Sequence, residues 1–244
     1  GSASVATGLT AGTYSCNITD AFGCRITKTV TITEPTALTI SNNQTNNLCG
    51  GAATGIANVT IAGGTVPYTY QWQPNGGTAA TAVNLLAASY TCSIMDFNNC
   101  LLTQTFVITE PANLAITEQH TNVLCNGGAT GVANITVVGG TSPYSYNWLP
   151  YGGANTMASL LTMGSYTCTI TDANNCESNK VIIITEPQIL TGATSQVDVT
   201  CSGGATGVAN ITVAGGTFPY TYQWSPASIT TAKATALAIG SYTS

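Results

Sequence analysis

Nine cysteines supply most of the side-chain chemistry of this 244-residue chain, and they recur at one interval. Three series are each spaced by 76 residues: Cys16, Cys92 and Cys168; Cys24, Cys100 and Cys176; and Cys49, Cys125 and Cys201. Within one interval the cysteines lie far apart and include no short paired knuckle, so their spacing does not predict a zinc site. The thiols either form disulfides or stay free, and spacing alone does not give the connectivity.

Residues that could catalyse a reaction are few. His120 is the only histidine, and it has no counterpart one interval away. A general base needs a positioned partner, so a solitary histidine is more typical of a surface residue. Paired glycines such as Gly63 and Gly64 lead into a proline turn and a strand, so no helix N-terminus is present to hold a phosphate. We therefore predict no catalytic residue, no cofactor site and no enzyme.

Acidic residues recur at the same interval and offer a weak calcium hypothesis. The candidates are Asp20, Asp96 and Asp172 in one series and Glu34, Glu110 and Glu186 in another. Calcium takes six to eight oxygen ligands, and each junction between repeats offers only one or two carboxylates. The stronger interpretation is that each Asp caps a turn and each Glu simply precedes a proline.

The composition limits the possible partners. Charged residues are only 5% of the chain, the net charge is −5, and four residues are basic, which leaves no electrostatic footprint for nucleic acid. No apolar run approaches the length of a membrane span. Isolated soluble domains usually have about a quarter or more of their surface charged. Glycosylation would explain this low content of charged residues. Burial of the flanks against other chains would also explain it and predicts a multi-chain filament. The alternative is an extracellular β domain that Thr, Asn and Ser keep soluble.

Short strands are predicted wherever apolar residues alternate between turn residues. Residues 57–61 form one strand, residues 68–72 place three aromatic side chains on one face, and residues 88–94 form a strand that a hairpin at 96–99 joins to the last strand. The predicted core framework consists of Trp72, Trp148, Trp224, Tyr90 and Tyr166. A Trp on the third strand and a Tyr two residues before a Cys on the penultimate strand are typical of immunoglobulin-like sandwiches. The fold class is therefore all-β, as tandem Ig-like repeats.

The repeat boundaries follow the Thr-Glu-Pro linkers, where proline denies ladder pairing. We predict the C-terminal part of one repeat at 1–35, full repeats at 36–111 and 112–187, and the N-terminal part of a fourth at 188–244. We call 36–111 and 112–187 the first and second full repeats. Half domains at both ends, and the lack of a signal peptide at residue 1, favour a segment of a longer protein or ends that neighbouring chains complete.

The residues of the second full repeat resemble the SprB repeat, and the resemblance extends over essentially the whole chain. It is carried by the run from Cys125 to Trp148, by Gly-Ser-Tyr-Thr-Cys-Thr-Ile-Thr-Asp-Ala-Asn-Asn-Cys at 164–176, and by Thr-Glu-Pro at 185–187. The family is related in pattern to PKD-type β-sandwiches. The resemblance implies a giant surface protein of Bacteroidota, such as a gliding-motility adhesin exported by the type IX secretion system, and hence an extracellular location.

The resemblance also makes one cysteine per repeat unusual, because typical repeats have equivalents of Cys49 and Cys100 but not of Cys92. An added cysteine in an exported array indicates a disulfide, which stabilises a domain by about 2 to 4 kcal/mol. In the predicted hairpin Cys92 faces about Gln104, too far from Cys100 to bridge. We therefore prefer bridges from Cys49 to Cys92 and from Cys125 to Cys168. The equivalent partner of Cys201 would lie at position 244, where the sequence has Ser. Cys24, Cys100 and Cys176 remain free or reach a neighbouring repeat or chain.

Two functions fit these observations. The first is a structural stalk or filament segment of a giant surface adhesin or appendage, used for attachment, gliding or prey capture, whose partners are other copies of the repeat. The second is a repeated module that binds a glycan or cell-surface ligand through avidity. We predict no exposed aromatic platform in the loops beyond Tyr151 and Phe97, which favours the structural function. Any adhesive target would then bind regions outside this segment.

Overall fold

The computed structural model describes residues 4–244, and every regular element in that range is a β-strand. The chain divides into two compact units, Gly1–Glu110 and Pro111–Ser244. The predicted division into four repeat segments is finer than this and stays a prediction. No helix in residues 4–244 is long and apolar enough to cross a membrane.

Eight strands lie in the first unit. They are β1 (Gly12–Thr19), β2 (Arg25–Ile32), β3 (Thr39–Thr45), β4 (Gly55–Ala62), β5 (Thr69–Gln73), β6 (Thr81–Leu85), β7 (Ala88–Met95) and β8 (Leu101–Ile108). β1 and β2 pair with each other, and the remaining six form two antiparallel sheets in the orders β3-β4-β6 and β5-β7-β8.

Nine strands lie in the second unit, which repeats the two three-stranded sheets of the first and adds a third. Its strands are β9 (Ala115–Thr121), β10 (Gly131–Val138), β11 (Ser145–Leu149), β12 (Met157–Leu161), β13 (Gly164–Thr171), β14 (Glu177–Ile184), β15 (Thr191–Val197), β16 (Gly207–Ala214) and β17 (Lys233–Leu237). The sheets are β9-β10-β12, β11-β13-β14 and β15-β16-β17. The predicted all-β, Ig-like sandwich fold is confirmed.

The core of the first full repeat lies between its two sheets. Alternation along β4 and β7 sends Ala57 and Val59 from one sheet and Tyr90, Cys92 and Ile94 from the other into the same interior, as the sequence predicts. The second full repeat has an equivalent cluster around Trp148. Apolar burial at these positions, worth about 25 cal/mol per Å², holds each pair of sheets together.

The framework residues are also hydrogen-bonded. The indole Nε1 atoms of Trp72, Trp148 and Trp224 donate to backbone carbonyls seven residues later, at 2.8, 2.8 and 2.9 Å. The hydroxyls of Tyr90 and Tyr166 donate to carbonyls four residues earlier, at 3.2 and 3.1 Å. These contacts are typical of the tyrosine corner of Ig-like sandwiches, in which a Tyr hydroxyl bonds to the backbone a few residues earlier. A large apolar side chain is thus buried without leaving its polar atom unpaired.

One strand of each sandwich is missing from the sequence prediction. β6 contains the buried residues Ala82 and Leu85, which are three positions apart and so break the two-residue alternation of a strand. The cause is a register shift between Gly55 and Ala57 on β4, opposite Asn84, whose φ is +56°. A bulge of this kind inserts one extra residue and hides the strand from a search for alternation.

Candidate functional site

Each full repeat has two structured ends, here called the entry pole and the exit pole. The entry pole comprises Thr36, residues 63–65 and the hairpin 96–100; the exit pole comprises residues 47–51 with Thr109 and Glu110. β7 runs between them, from Ala88 opposite Ile108 at the exit pole to Met95 opposite Leu101 at the entry pole. At about 3.3 Å per residue this separates the poles by about 23 Å.

The entry pole is built around a buried carboxylate. Asp96 is 5% exposed, and its Oδ1 accepts backbone N–H groups from Asn98 and Cys100, both at 2.9 Å. Its Oδ2 accepts the N–H of Thr65 at 2.9 Å, which ties the hairpin to the neighbouring turn. The prediction that Asp caps this turn is therefore correct, and the same carboxylate also joins two loops.

The second full repeat has the same construction. Asp172 accepts the N–H groups of Asn174, Cys176 and Thr141 at 2.8, 2.9 and 2.9 Å. In the partial repeat at the N-terminus, Asp20 accepts those of Phe22 and Cys24 at 2.9 and 2.8 Å. The recurring Asp is thus a fixed part of each hairpin that carries a cysteine.

These donors change the acidity of both buried carboxyls. The N–H groups of Cys100 and then Thr65 hold the pKa of Asp96 below its ordinary value, although burial opposes them. Burial raises the pKa of Asp172, but the N–H groups of Cys176, Thr141 and Asn174 outweigh it, so the net shift is also downward. Both side chains are therefore charged at neutral pH, and their charge is satisfied by backbone dipoles.

The exit pole uses the linker glutamate in a way that the sequence did not reveal. The Oε2 of Glu110 accepts the N–H of Gly51 at 2.9 Å, and that of Glu186 accepts the N–H of Gly127 at 2.7 Å. Beside it the N–H of Asn47 donates to the carbonyl of Thr109 at 3.0 Å. The glutamate therefore fixes the turn that carries Cys49 or Cys125. The glutamate and the Gly-rich turn recur together at the same interval, and this joint recurrence is the sequence signal that could have predicted their contact.

The calcium hypothesis fits these surroundings poorly. Asp20, Asp96, Asp172, Glu110 and Glu186 face N–H donors, which stabilise an anion and would repel a cation. Glu34 is exposed beyond the end of β2. Among the described residues no group of three or more His, Cys, Asp and Glu side chains is arranged to hold a metal ion.

The cysteines occupy three different environments. Cys92 and Cys168 are fully buried free thiols, each paired across its sheet with the framework tryptophan. Cys16, Cys24, Cys100, Cys125 and Cys201 are exposed free thiols. Cys49 and Cys176 are disulfide-bonded.

The structure therefore forms neither predicted bridge. Cys92 points from the middle of β7 into the interior of the sandwich. Cys49 lies in the turn at the exit pole, nearer the surface of the sandwich, so the two side chains do not meet. The same holds for Cys168 on β13 and the exposed Cys125. The predicted register that places Cys92 opposite Gln104 is correct. Of the three cysteines expected to be free or to reach a neighbour, Cys24 and Cys100 are free and Cys176 is bonded.

His120 lies on β9 and makes a surface contact. Its Nδ1 is 3.0 Å from the Oε2 of Glu118, two residues away on the same face of the strand. The two side chains are 34% and 24% exposed. The arrangement is that of a solvated surface pair, with no histidine at the equivalent positions of the other repeats.

Comparison with protein-family models matches three segments of the chain to the SprB repeat: residues 41–77, 117–153 and 193–228. The three matches keep the spacing seen in the sequence. A search of curated proteins found no match.

Solved structures with a similar fold are built of immunoglobulin domains. The N-terminal eight Ig domains of Down Syndrome Cell Adhesion Molecule share 13% identity, with 88% of this chain and 32% of that chain covered and a TM-score of 0.39. The Dpr2 Ig1-Ig2 complex with DIP-Theta shares 10%, with 80% and 81% covered and a TM-score of 0.28. An amphioxus IgVJ-C2 molecule shares 12%, with 59% and 96% covered and a TM-score of 0.26. The chain thus spans about a third of the length of the first, and likeness at this level carries no argument about function.

Proposed function

Three segments of this chain match the SprB repeat in tandem, and from this premise we propose that it is a stalk or filament segment of a large extracellular surface adhesin or appendage. Such a segment acts through its length and through lateral association with other chains. Attachment, gliding motility or prey capture are the activities that an appendage of this kind serves, and export by type IX secretion is the route that the family implies.

The observation that carries the proposal is a sheet edge without charged residues. β8 lies at the edge of its sheet, contains no charged residue, and exposes Leu101 and Val107 at 61% and 57%. Natural sheet edges usually carry charges or prolines that prevent pairing with another chain. An uncharged edge with exposed apolar side chains instead favours contact between chains.

The equivalent edge of the second full repeat supports the same interpretation. β14 contains two charged residues, Glu177 and Lys180, and exposes Val181 and Ile183 at 57% and 63%. Val107 and Ile183 occupy equivalent positions one interval apart. A repeated apolar position on an edge strand would let neighbouring chains associate in register along their length.

Replacing Leu101 and Val107 with lysine tests this proposal. We expect the double variant to stay folded, because both side chains point outward, and to lose ordered multi-chain fibres in electron micrographs of the purified chain. Leu86→Lys is the matched control, since Leu86 is 51% exposed but lies between β6 and β7. Fibres of unchanged width in the double variant would contradict the role of this edge. Thin single strands in the unmodified chain that bind a glycan array would favour the ligand-binding module instead.

A further inference from the structure

Two series of cysteines lie at opposite poles of the repeats. The turn cysteines, Cys49, Cys125 and Cys201, follow the first strand of their repeats, and the turns of Cys49 and Cys125 are fixed by a linker glutamate. The hairpin cysteines, Cys24, Cys100 and Cys176, follow the recurring aspartate that caps their hairpins. In each full repeat the chain leaves at the pole of the turn cysteine and enters at the pole of the hairpin cysteine.

Both positions are compatible with a disulfide in the folded repeat. One turn cysteine, Cys49, and one hairpin cysteine, Cys176, are disulfide-bonded, and both are half-buried. The other members of both series, Cys24, Cys100, Cys125 and Cys201, are exposed free thiols. Bonding therefore occurs without loss of the hydrogen bonds at either pole, because the N–H of Cys176 still donates to Asp172 and that of Gly51 to Glu110.

The backbone at each exposed thiol is already fixed. The carbonyl of Cys125 accepts the N–H of Gly128 at 3.0 Å, and the carbonyl of Cys100 accepts the N–H of Asp96 at 3.2 Å. A thiol held on an ordered turn loses little conformational entropy when it bonds, which favours cross-linking at these positions over flexible ones. The third series differs in this respect, since Cys92 and Cys168 are fully buried.

We propose that turn and hairpin cysteines cross-link separate copies of this chain pole to pole, with Cys125 or Cys201 of one copy bonded to Cys24 or Cys100 of a second. Such a contact is heterologous, because the exit pole of one copy meets the entry pole of the next, and heterologous contacts build open filaments. The inference rests on the self-association proposed above. It adds a covalent bond between unlike poles, which lateral contact along β8 does not require.

The bond forms by thiol–disulfide exchange with a small-molecule disulfide such as oxidised glutathione. A thiolate of one copy attacks the small disulfide, releasing one small thiol and leaving a mixed disulfide on the protein. The thiolate of the other copy attacks the protein sulfur of that mixed disulfide and releases the second small thiol. Two protein thiols are thereby oxidised to one disulfide, and the small disulfide is reduced to two thiols.

Mixing two complementary variants tests the pairing. The variant Cys24→Ser/Cys100→Ser keeps only exposed turn thiols at the poles, and Cys125→Ser/Cys201→Ser keeps only exposed hairpin thiols. Under oxidised glutathione we expect each variant alone to stay monomeric on a non-reducing gel and the equimolar mixture to give reducible dimers. Peptide mapping of the dimer should show a turn cysteine bonded to a hairpin cysteine. Cys16→Ser, which removes an exposed thiol of neither series, should cross-link as well as the unmodified chain.

The outcomes separate this inference from the proposed function. Dimers of one variant alone, or peptides joining two turn or two hairpin cysteines, would overturn the pairing. Filaments that form fully under a reducing agent and acquire no covalent bond on oxidation would overturn the cross-link and leave lateral association intact. Neither filaments nor dimers under any condition would overturn both.

Discussion

At the scale of single residues, two buried carboxylates hold the hairpins of the full repeats. Asp96 and Asp172 each accept three backbone N–H groups, an arrangement that stabilises the charged form and joins two loops. The sequence places them correctly in the turn because Asp is a common turn residue. It does not show that the second oxygen reaches Thr65 or Thr141, because that contact joins residues 31 positions apart.

These carboxylates predict a loss of stability in acid. Their pKa values are lowered in the folded state, so the unfolded chain binds more protons between the two pKa values and stability rises with pH there. The stabilisation is complete above the ordinary Asp pKa of about 3.9 and is lost as the pH falls through the lower folded pKa. Urea unfolding followed by circular dichroism from pH 7 to pH 2 measures this. Asp96→Asn/Asp172→Asn should be less stable at pH 7 and should depend less on pH below about 4, and equal slopes would contradict the role of both residues.

The buried cysteines are core residues in this structure. Burial raises the pKa of Cys92 and Cys168, although a backbone N–H partly opposes it, so both remain protonated and inaccessible. We expect iodoacetamide at pH 8 to label Cys125 within the folded chain while Cys92 and Cys168 stay unlabelled until a denaturant is added, as read by peptide mass spectrometry. Cys92→Ser should cost about 1 to 3 kcal/mol, because it buries a hydroxyl where the sandwich is apolar. Labelling of Cys92 at the rate of Cys125 in the native chain would show that the core is open.

At the scale of elements, the sequence predicts the strands that alternate and fails where the alternation breaks. β4, β5 and β7 follow from their two-residue period, and the inward faces of Trp72 and Tyr90 are correct. β6 is missed because it contains one extra residue at a bulge near Asn84, so Leu85 points inward one residue late. The predicted bridge from Cys49 fails for a related reason, since sequence spacing gives the end of the sandwich at which a residue lies but not its depth.

The turn after β4 provides a matched test of the entry pole. Gly63 and Gly51 have almost equal φ angles, +78° and +72°, but a Cβ at Gly63 would overlap the carbonyl oxygen of Ala37, whereas one at Gly51 meets no atom within 4 Å. Gly51→Ala should cost about 1 to 2 kcal/mol from the left-handed conformation alone. Gly63→Ala should cost more, because the backbone of β4 or of residues 36–37 must also move. Thermal unfolding of the two variants compares them directly, and equal losses would mean that this close approach does not constrain the fold.

The framework tryptophan should dominate the stability of its own sandwich. Trp72 is 1% exposed, packs against Phe106 with ring centroids 5.3 Å apart, and has its Nε1 satisfied by Ala79. Trp72→Ala should destabilise the first full repeat by about 3 to 5 kcal/mol. Trp148→Ala is the matched variant in the second full repeat. We expect the unfolding curve of each variant to show two steps, of which the earlier step belongs to the weakened sandwich. A cost below about 1 kcal/mol would place the main core elsewhere.

At the scale of the whole molecule, the proposed function rests on repetition and low charge. Each full repeat is an Ig-like sandwich with both ends fixed by carboxylates, and the uncharged edge strand β8 of the first is the surface that we propose contacts another chain. The SprB repeat was predictable from the run between Cys125 and Trp148, and the family match confirms it. The partners of the pole cysteines were not predictable, because they depend on which surfaces meet.

A reconstruction of the assembled appendage tests the central claim most directly. We predict an ordered fibre with several chains in cross-section, in which β8 and β14 lie between neighbouring chains. Single, flexible strands with these edges facing solvent would contradict it.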